Sequence, residues 1–467
     1  MKIEQLYTNC LAEAAYYIES EGEVAIIDPL RETAPYLDKA EKNGAKIKYI
    51  FETHFHADFV SGHIDLAKKT GAKIIFGPKA APQYDIYSST DGEILELGKI
   101  KIKVLHTPGH TMESSSFLLF DENGKEHCLF TGDTLFIGDV GRPDLAIKSD
   151  LSREDLAGLL YDSLRAKVMT LPDDIIIYPG HGAGSACGKN MSKETQDTLG
   201  NQKKVNYALR EDMSKEEFVK EVTDGILPPP QYFAKNAKIN KDGYDSFEDV
   251  LQQGIQALTV EEVEKKQAEG AIVLDVRKAG AFAKSHIPNS IFIGLDGQFA
   301  PWVGAVITDI KSPIILVVES GREEEAVTRL SRVGYDNTIG FVKGGVENWV
   351  AEGKEVATVD EISAEGLANL EQENINILDV RKPGEFQAEH LERAEHLALD
   401  YINENLDKVN SDKKYYVHCA GGYRSMIFIS ILKRNNIHDM VNILGGYNAL
   451  KNTNLPKTDF VCPSTLA

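Results

Sequence analysis

The chain has 467 residues, of which 42% are hydrophobic and 26% are charged, and this length is too great for a single hydrophobic core. We therefore expect roughly two to four domains. The 51 lysines and arginines against 72 aspartates and glutamates give a net charge of −21, which argues against nucleic acid or an anionic membrane surface as a partner.

Targeting signals and cysteine usage point to one compartment. The N-terminal residues lack the basic and then apolar pattern of a secretory signal, and no apolar run approaches the length that spans a bilayer. Five scattered cysteines do not indicate a disulfide framework. They are Cys10, Cys128, Cys187, Cys419 and Cys462. We predict a cytoplasmic protein in which any functional cysteine acts as a thiolate.

The first predicted elements alternate between strands and helices. Residues 24–29 form a short apolar strand, and residues 33–43 have the pattern of a helix. Residues 47–51 predict a second buried strand, which is followed by a helix through Leu66 and Lys69. Further strands are predicted at residues 73–76, 100–106, 115–120 and 127–131. This alternation is typical of an α/β layered fold.

The loop after the second of these strands has two histidines and an aspartate within five residues. They are His54, His56 and Asp58. Imidazole and carboxylate are the ligands that transition metals recruit, and side chains at the end of one strand converge on one point. The cluster therefore favours a metal site over a polar loop whose histidines only cap backbone groups.

Three further loops place ligand-type residues beside glycine after a predicted strand. His110 lies in residues 106–111, and Asp133 lies in residues 130–134. His181 lies in residues 178–182. One such loop is weak evidence, whereas four in chain order predict that their side chains together hold a metal ion.

These motifs, in the order H-x-H-x-D, P-G-H-T, T-G-D and P-G-H-G, resemble those of the metallo-β-lactamase fold over residues 1–241. The resemblance implies an αββα architecture, and in detail the motifs resemble those of the glyoxalase II and persulfide dioxygenase branch. Two-metal hydrolases of this fold have a histidine directly after the motif's aspartate, where this chain has Phe59. Because phenylalanine has no lone pair to donate, we do not expect a dinuclear zinc centre.

The resemblance to the persulfide dioxygenases implies a single Fe(II) per chain. Carried over by motif, its ligands are His54, His110 and Asp133. Two histidines and one carboxylate leave coordination positions open for O₂ and a substrate sulfur.

Other polar residues near these motifs have less defined roles. His56, Asp58 and His181 are predicted to form hydrogen bonds that orient the ligands or bound water, with His56 as an alternative fourth ligand in a zinc-loaded form. Arg142 either binds the carboxylate of a thiol carrier or forms a buried pair with a nearby aspartate. Cys187 either receives a sulfane sulfur or simply packs, and packing is favoured for a single cysteine.

Beyond a proline-rich stretch at residues 227–230, the chain repeats itself. Residues 272–278 and 375–382 share an L-D-V-R pattern, and each copy later has a glycine pair, beginning at Gly344 and Gly445. We therefore predict three domains. They comprise residues 1–245, 246–357 and 358–467.

The repeated pattern is similar to the α/β rhodanese fold, and the copies differ where chemistry is expected. In the second copy, Cys419 opens a six-residue loop that ends at Arg424 and leads into a helix. Backbone N–H groups and the helix dipole at such a position stabilise a thiolate or a bound persulfide. The first copy has no cysteine in residues 317–325 and has an acidic run instead, which predicts an inactive pseudorhodanese.

These features predict a persulfide dioxygenase fused to a pseudorhodanese and a catalytic rhodanese. The enzyme would use O₂ to oxidise low-molecular-weight thiol persulfides to sulfite in sulfide detoxification. Cys419 would carry sulfane sulfur to sulfite, giving thiosulfate, and Arg424 would belong to its active-site loop. The reverse transfer, from thiosulfate to a thiol, uses the same cysteine.

Two other functions compete with this prediction. One is a dinuclear zinc thioester hydrolase of the glyoxalase II type with rhodanese domains. The other is a redox-signalling or sulfur-carrier module with little turnover. A sulfur-carrier protein is a candidate partner, whereas nucleic acid and membranes are not, and the resemblance implies a homodimer or homotetramer.

Overall fold

A computed structural model describes residues 1–145, 151–371 and 375–461. Cys462 and the end of the third predicted domain lie outside these residues. The chain divides into two compact units. The first comprises Met1–Phe247 with Ser331–Gly334, and the second comprises Glu248–Leu330 with Tyr335–Ala467.

The first unit contains two six-stranded sheets, each with its strands adjacent in chain order. The strands of the first sheet are β1 (Lys2–Thr8), β2 (Glu13–Ser20), β3 (Glu23–Ile27), β4 (Lys46–Glu52), β5 (Lys73–Phe76) and β6 (Tyr87–Ser88). Those of the second are β7 (Ile94–Leu97), β8 (Ile100–His106), β9 (Ser115–Phe120), β10 (Glu126–Gly132), β11 (Ile176–Pro179) and β12 (Asp197–Thr198). The helices are α1 (Ala34–Lys42), α2 (His63–Thr70), α3 (Arg153–Ser163), α4 (Leu199–Val205), α5 (Lys215–Thr223) and α6 (Phe233–Asp242).

The two sheets pack face to face, and alternate residues of each strand point to opposite faces. On β2, Tyr16 joins the core between the sheets, where the rings of Phe51 and Phe117 lie 4.8 Å apart. The next residue, Tyr17, joins a separate core that includes residues of α1 and α2. Helices α3 to α5 cover the other face of the second sheet. The predicted αββα layering is therefore confirmed.

The second unit contains two parallel five-stranded sheets, one from each repeat. The strands of the first copy are β13 (Ala257–Leu258), β14 (Ile272–Asp275), β15 (Ile291–Phe292), β16 (Ile314–Val317) and β17 (Thr338–Val342). Those of the second are β18 (Asp360–Ser363), β19 (Asn376–Asp379), β20 (Ala394–His396), β21 (Tyr415–His418) and β22 (Met440–Leu444). The spatial orders, β13-β17-β16-β14-β15 and β18-β22-β21-β19-β20, are equivalent.

Helices connect and flank these strands. They are α7 (Phe247–Gly254), α8 (Val260–Ala268), α9 (Ala279–Lys284), α10 (Phe299–Val306), α11 (Glu323–Ser331), α12 (Gly345–Ala351), α13 (Ala364–Ala368), α14 (Pro383–Ala388), α15 (Ile402–Asn405), α16 (Tyr423–Arg434) and α17 (Gly446–Leu450). Within the described part of the chain, no helix is long and apolar enough to cross a bilayer.

The repeated L-D-V-R pattern forms the same ion pair in both copies. In the first copy, Arg277 Nη2 lies 2.6 Å from Asp275 Oδ2, and in the second, Arg381 Nη2 lies 2.6 Å from Asp379 Oδ2. Both aspartates are fully buried at the end of a strand. These pairs satisfy charges that would otherwise be costly to bury, so they hold the strand ends of each copy in place.

Close packing between the sheets of the first unit gives a stability prediction. Ile102 on β8 is 0% exposed, whereas Ile94 on the neighbouring strand β7 is 50% exposed. Ile102→Ala should lower the free energy of unfolding of this unit by about 2–5 kcal/mol, because it leaves a cavity. The urea midpoint of the corresponding far-UV circular dichroism transition measures this loss.

Ile94→Ala is the matched control, since it removes the same atoms from an exposed position and should change the midpoint little. Equal midpoints for the two variants would contradict a close-packed interior at Ile102.

Candidate metal centre and reactive cysteine

Three loops of the first unit bring their predicted ligands together. His54 follows β4, His110 follows β8, and Asp133 follows β10. One ligand atom of each lies within 4.8 Å of the others. The Nε2 atoms of His110 and His54 lie 3.5 Å and 3.9 Å from Asp133 Oδ2. The structure therefore groups two imidazoles and one carboxylate around a single point.

A chain of hydrogen bonds holds the ring of His54. Asp28, at the end of β3, accepts hydrogen bonds from the backbone N–H of Thr53 at 2.8 Å and from its hydroxyl at 2.8 Å. Because the hydroxyl proton is used there, Thr53 Oγ1 accepts from His54 Nδ1 at 2.9 Å. The Nδ1 atom is thus protonated, and the lone pair on Nε2 is free to bind a metal.

Two other histidines are oriented in the same way by backbone carbonyls. His110 Nδ1 donates to the Arg142 carbonyl at 2.8 Å. His181 Nδ1 donates to the Ala12 carbonyl at 3.2 Å, and its Nε2 atom lies 3.5 Å from Asp133 Oδ1. A carbonyl can only accept, so Nδ1 carries a proton in each ring and Nε2 is the nitrogen directed at the centre.

The Asp133 carboxylate is suited to a cation. It is buried, and neither of its oxygens accepts a hydrogen bond from the residues that the structure describes. An uncompensated buried carboxylate is costly, and a bound cation removes that cost. Gly180 makes the close approach of the loops possible, since a Cβ there would lie 2.8 Å from Asp133 Oδ1. The residues present therefore fit a divalent transition metal.

His54 is neutral in this environment. Burial is the largest cause, and the neighbouring imidazoles act in the same direction to lower the pKa of His54 well below its usual value. An imidazole with a low pKa keeps its lone pair at neutral pH, as a metal ligand requires.

His56 has a different environment from His54. Burial lowers the pKa of His56, but the carboxylates of Asp28, Glu52 and Asp58 raise it by more, so its pKa is raised to about 10. Its Nε2 atom lies 3.1 Å from Asp28 Oδ1 and 3.7 Å from Glu52 Oε2. An imidazolium has no lone pair to donate, so this arrangement is suited to ion pairing.

The predicted accessory residues nevertheless lie together. His56, Asp58 and His181 form a second group whose ligand atoms lie within 4.8 Å of one another. Phe59 is 0% exposed, and its ring lies 4.3 Å from the ring of His56. A benzyl group thus lies against this group, at the position where the sequence comparison with two-metal hydrolases of this fold led us to expect no further ligand.

Cys187 reaches the same centre. Its thiol lies within 4.8 Å of ligand atoms of Asp133 and His181, and it is buried. Burial, followed by the charges of Asp58 and Asp133, raises the pKa of the Cys187 thiol well above its usual value. A thiol that stays protonated is a poor nucleophile, so this environment is suited to packing beside the ligands.

Arg142 is held inside the protein. Its Nε and Nη2 atoms donate to the two carboxylate oxygens of Asp144 at 2.6 and 2.8 Å. Nη2 also donates to the Leu227 carbonyl at 2.6 Å, and Nη1 donates to the Ala186 carbonyl at 3.2 Å. Since the Arg142 carbonyl accepts from His110, these contacts hold the segment that orients a ligand.

Three buried acids near the centre were missed by the sequence analysis. They are Glu13, Asp28 and Glu52. Burial raises the pKa of both Glu13 and Glu52 well above the usual value. Asp28 directly follows an apolar strand, as the predicted ligands do, so the same signal could have identified it. Glu13 begins a strand and gives no comparable signal.

The second copy of the repeat positions Cys419 as predicted for a reactive thiol. The residue is 1% exposed and lies between β21 and α16. The backbone N–H of Gly422 donates to Cys419 Sγ at 3.1 Å. The Ser425 hydroxyl lies 3.7 Å from the sulfur and donates to Asn442 Oδ1 at 2.8 Å. Gly422 has a φ of +104°, a conformation that glycine adopts readily, and it aims its N–H at the sulfur. Such donors stabilise a thiolate or persulfide.

Arg424 lies at the end of this loop and forms a bidentate pair. Its Nη1 and Nη2 atoms donate to the two carboxylate oxygens of Glu385 at 2.5 and 2.8 Å. The corresponding loop of the first copy contains Arg322, which pairs with Asp296 at 2.9 Å and Glu325 at 2.7 Å, and it contains no cysteine.

Comparisons with known proteins agree with both parts of the chain. A family model described as the metallo-beta-lactamase superfamily matches residues 8–181. A second model, described as the rhodanese-like domain, matches residues 259–352 and 363–453. The predicted metallo-β-lactamase fold and the two rhodanese-like copies are therefore confirmed.

Individual relatives match the first unit. The chain is 32% identical to the human mitochondrial persulfide dioxygenase ETHE1 over 211 residues, or 45% of this chain and 74% of that protein. It is also 32% identical to the hydroxyacylglutathione hydrolase GloC of Haemophilus influenzae over 192 residues, or 37% of this chain and 85% of that protein.

A crystal structure of a metallo-beta-lactamase from Staphylococcus aureus matches more of the chain. It superposes with a TM-score of 0.64 at 32% identity and covers 73% of this chain and 98% of that one. The relatives thus include a persulfide dioxygenase and a hydroxyacylglutathione hydrolase. Only the residues of the site can distinguish between these two activities.

The hydrogen bond from His54 to Thr53 gives a prediction about metal affinity. Thr53→Val keeps the shape of the side chain but removes the hydroxyl that accepts the hydrogen bond from His54 Nδ1. Loss of such an orienting contact should lower metal affinity about 10–100-fold. Competition with a chromophoric chelator measures the affinity.

Thr170→Val is the matched control, since the exposed Thr170 hydroxyl bonds only to carbonyls within its own turn. His110→Ala supplies the reference for loss of a ligand. Unchanged affinity in Thr53→Val would contradict the role given to this hydroxyl.

Proposed function

This chain belongs to the metallo-β-lactamase superfamily and has two rhodanese-like domains after its first unit, and we propose that it oxidises thiol persulfides and transfers their sulfur. The first unit is a persulfide dioxygenase that uses one Fe(II), and the second is a sulfurtransferase. The persulfide dioxygenase relative and the buried set of His54, His110 and Asp133 support this proposal.

The overall reaction of the first unit is the oxidation of the outer sulfur of a persulfide. One R–S–SH, one O₂ and one water give R–SH, sulfite and two protons. A bound Fe(II) supplies open coordination positions at which O₂ and a thiolate-type sulfur can meet. The sulfane sulfur is oxidised and both oxygen atoms of O₂ are reduced, so no further oxidant or reductant is needed.

The protein's own residues prepare this centre. The Thr53 hydroxyl and the Arg142 carbonyl each accept a hydrogen bond from the Nδ1–H of a ligand imidazole, which directs the Nε2 atom of that ring towards the centre. The loops bury the ligands almost completely, which limits the access of water. His56 lies beside this ligand set, and its Nε2 atom pairs with Asp28 Oδ1 at 3.1 Å.

The second unit transfers sulfur through Cys419. The Cys419 thiolate attacks the outer sulfur of R–S–SH, the S–S bond breaks, and R–S⁻ leaves, while the proton stays on the transferred sulfur. After that proton is lost, sulfite attacks the outer sulfur of the Cys419 persulfide. Thiosulfate leaves and the Cys419 thiolate is regenerated. The N–H of Gly422 stabilises the anionic sulfur at the start and the end.

One observation favours the dioxygenase over the hydrolase: Phe59 packs against His56, which itself pairs with Asp28. At a second metal site, Phe59 would therefore offer a hydrocarbon ring with no lone pair, and the Nε2 atom of His56 is already paired with a carboxylate. The rival, a dinuclear zinc thioester hydrolase, is supported by the GloC relative and by the grouping of His56, Asp58 and His181. A binding module with little turnover is disfavoured, because both centres have reactive side chains.

Metal content and oxygen uptake separate these functions. Protein purified without oxygen should contain about one iron per chain, because Phe59 has no lone pair to donate to a second ion. It should consume O₂ when glutathione persulfide is added, as measured with an oxygen electrode. Elemental analysis gives the metal count in the same preparation.

Phe59→His provides the matched variant, since it restores an imidazole and should raise zinc binding towards two ions per chain. Two zinc ions in the unaltered protein, with thioester hydrolysis and no oxygen uptake, would establish the hydrolase instead.

Replacement of Cys419 tests the link between the two units. Cys419→Ser should leave oxygen consumption within about twofold, while the product changes from thiosulfate to sulfite, because the oxidation uses other residues. Ion chromatography of the products measures the ratio. Cys10→Ser is the control and should leave the ratio unchanged. Thiosulfate formation by Cys419→Ser at the unaltered rate would refute the link.

A further inference from the structure

A cavity of about 320 Å³ lies beside Cys419, and both rhodanese-like copies line it. Gln298 and Trp302 come from the first copy, whereas Tyr423 and Arg424 come from the catalytic copy. This volume lies at the lower end of the range for small organic ligands, about 300–1,000 Å³. It exceeds what a single tetrahedral oxyanion fills, so the cavity has room for a thiol carrier as well as its sulfur.

The first copy holds the catalytic loop directly. The Tyr423 hydroxyl donates to the Gly294 carbonyl at 2.8 Å. Gly297 permits this approach, because a Cβ at that position would lie 2.4 Å from Tyr423 Cζ. Ser430 Oγ accepts from the backbone N–H of Phe292 at 3.0 Å. These contacts fix the wall that contains Trp302 against the loop that contains Cys419.

The wall itself combines an aromatic and a polar group. Trp302 lies on α10 and is only 5% exposed, so its ring is held in place by packing. Gln298 directly precedes this helix and is exposed, which leaves its amide available to a ligand. Rigid aromatic surfaces with a nearby hydrogen-bonding group are typical of sites that recognise small organic molecules.

The charges of the cavity distinguish among sulfur donors. Residues 420–423 of the loop contain no cation. Burial raises the pKa of Glu385, but the Arg424 guanidinium lowers it by more, so both members of this bidentate pair are charged and their charges cancel. Lys382 adds an exposed cation. A small dianion such as thiosulfate is best held by cations that are free to bind it, and Arg424 is already engaged.

We propose that the first rhodanese-like copy, although it has no cysteine of its own in this position, forms the donor subsite of Cys419. Through Trp302 and Gln298 it selects an organic thiol persulfide over inorganic thiosulfate. This inference rests on the proposed sulfur transfer and adds the chemical class of the donor and the residues that recognise it.

The subsite acts in the first half of the transfer. The organic group R of R–S–SH lies against Trp302, with a carboxylate of R near Lys382, while the outer sulfur reaches Cys419. The Cys419 thiolate bonds to that sulfur, the S–S bond breaks, and R–S⁻ leaves with the bonding electron pair. Sulfite, which has no organic group, then needs only the space that R has vacated.

Donor-dependent kinetics test this subsite. The assays are run without oxygen, so that the dioxygenase cannot turn over. Sulfur transfer from glutathione persulfide to sulfite is compared with sulfur transfer from thiosulfate to cyanide, which forms thiocyanate. Trp302→Ala and Gln298→Ala should each raise KM for glutathione persulfide about five- to tenfold, with kcat within about twofold. KM for thiosulfate should stay within about twofold in both variants.

Two further variants act as controls. Trp302→Phe keeps an aromatic wall and should restore most of the affinity for glutathione persulfide. Gln252→Ala changes an exposed glutamine of the same copy that does not line the cavity, and it should change nothing. Equal changes in KM for glutathione persulfide and for thiosulfate would overturn the proposal. So would a KM for glutathione persulfide that is as little changed in Gln298→Ala as in Gln252→Ala. If the unaltered protein transfers no sulfur from the persulfide to sulfite, the proposed function itself fails.

Discussion

In the first unit, His54, His110 and His181 each donate the Nδ1 proton to an oxygen of the protein. The geometry of the centre depends on these three hydrogen bonds, because they determine which nitrogen keeps a lone pair. The acceptors come from loops at the edges of two packed sheets, so the layered fold is the means by which the rings are aligned. Asp133, buried without hydrogen-bond donors among the described residues, completes a set that a cation stabilises.

The environment of His56 differs from that of the three histidines above. The carboxylates of Asp28 and Glu52 lie on one side of the imidazole, and the ring of Phe59 packs against it. A charged imidazole paired with carboxylates can orient or attract a substrate, but it cannot act as a ligand without losing its proton. The pKa values of two neighbouring histidines of one short motif are therefore shifted in opposite directions, His54 downwards and His56 upwards, because they are buried beside different partners.

The two copies of the repeat in the second unit share a fold but differ in their loops. Both copies keep the same strand order and the same buried Asp–Arg pair at the end of the L-D-V-R strand. Only the second copy has a cysteine in the loop that faces a helix N-terminus. The first copy instead contacts that loop through the Gly294 carbonyl, which accepts a hydrogen bond from Tyr423 of the second copy, and it contributes Trp302 to the cavity. Its fold is retained while its reactive residue is absent.

The sequence by itself determined the layered fold and the candidates for both centres. Each candidate lies in a short motif directly after a strand, so its residue type and neighbours identify it without knowledge of distant contacts; these residues are His54, His110, Asp133 and Cys419. Only the tertiary structure decided the charge of His56 and the partners of the arginines. The contacts responsible join residues far apart in the chain: His56 with Asp28, Arg424 with Glu385, and Tyr423 with Gly294. Charge state and hydrogen-bond pairing depend on distance in space and on burial. The spacing of residues within a short sequence motif gives neither of these quantities.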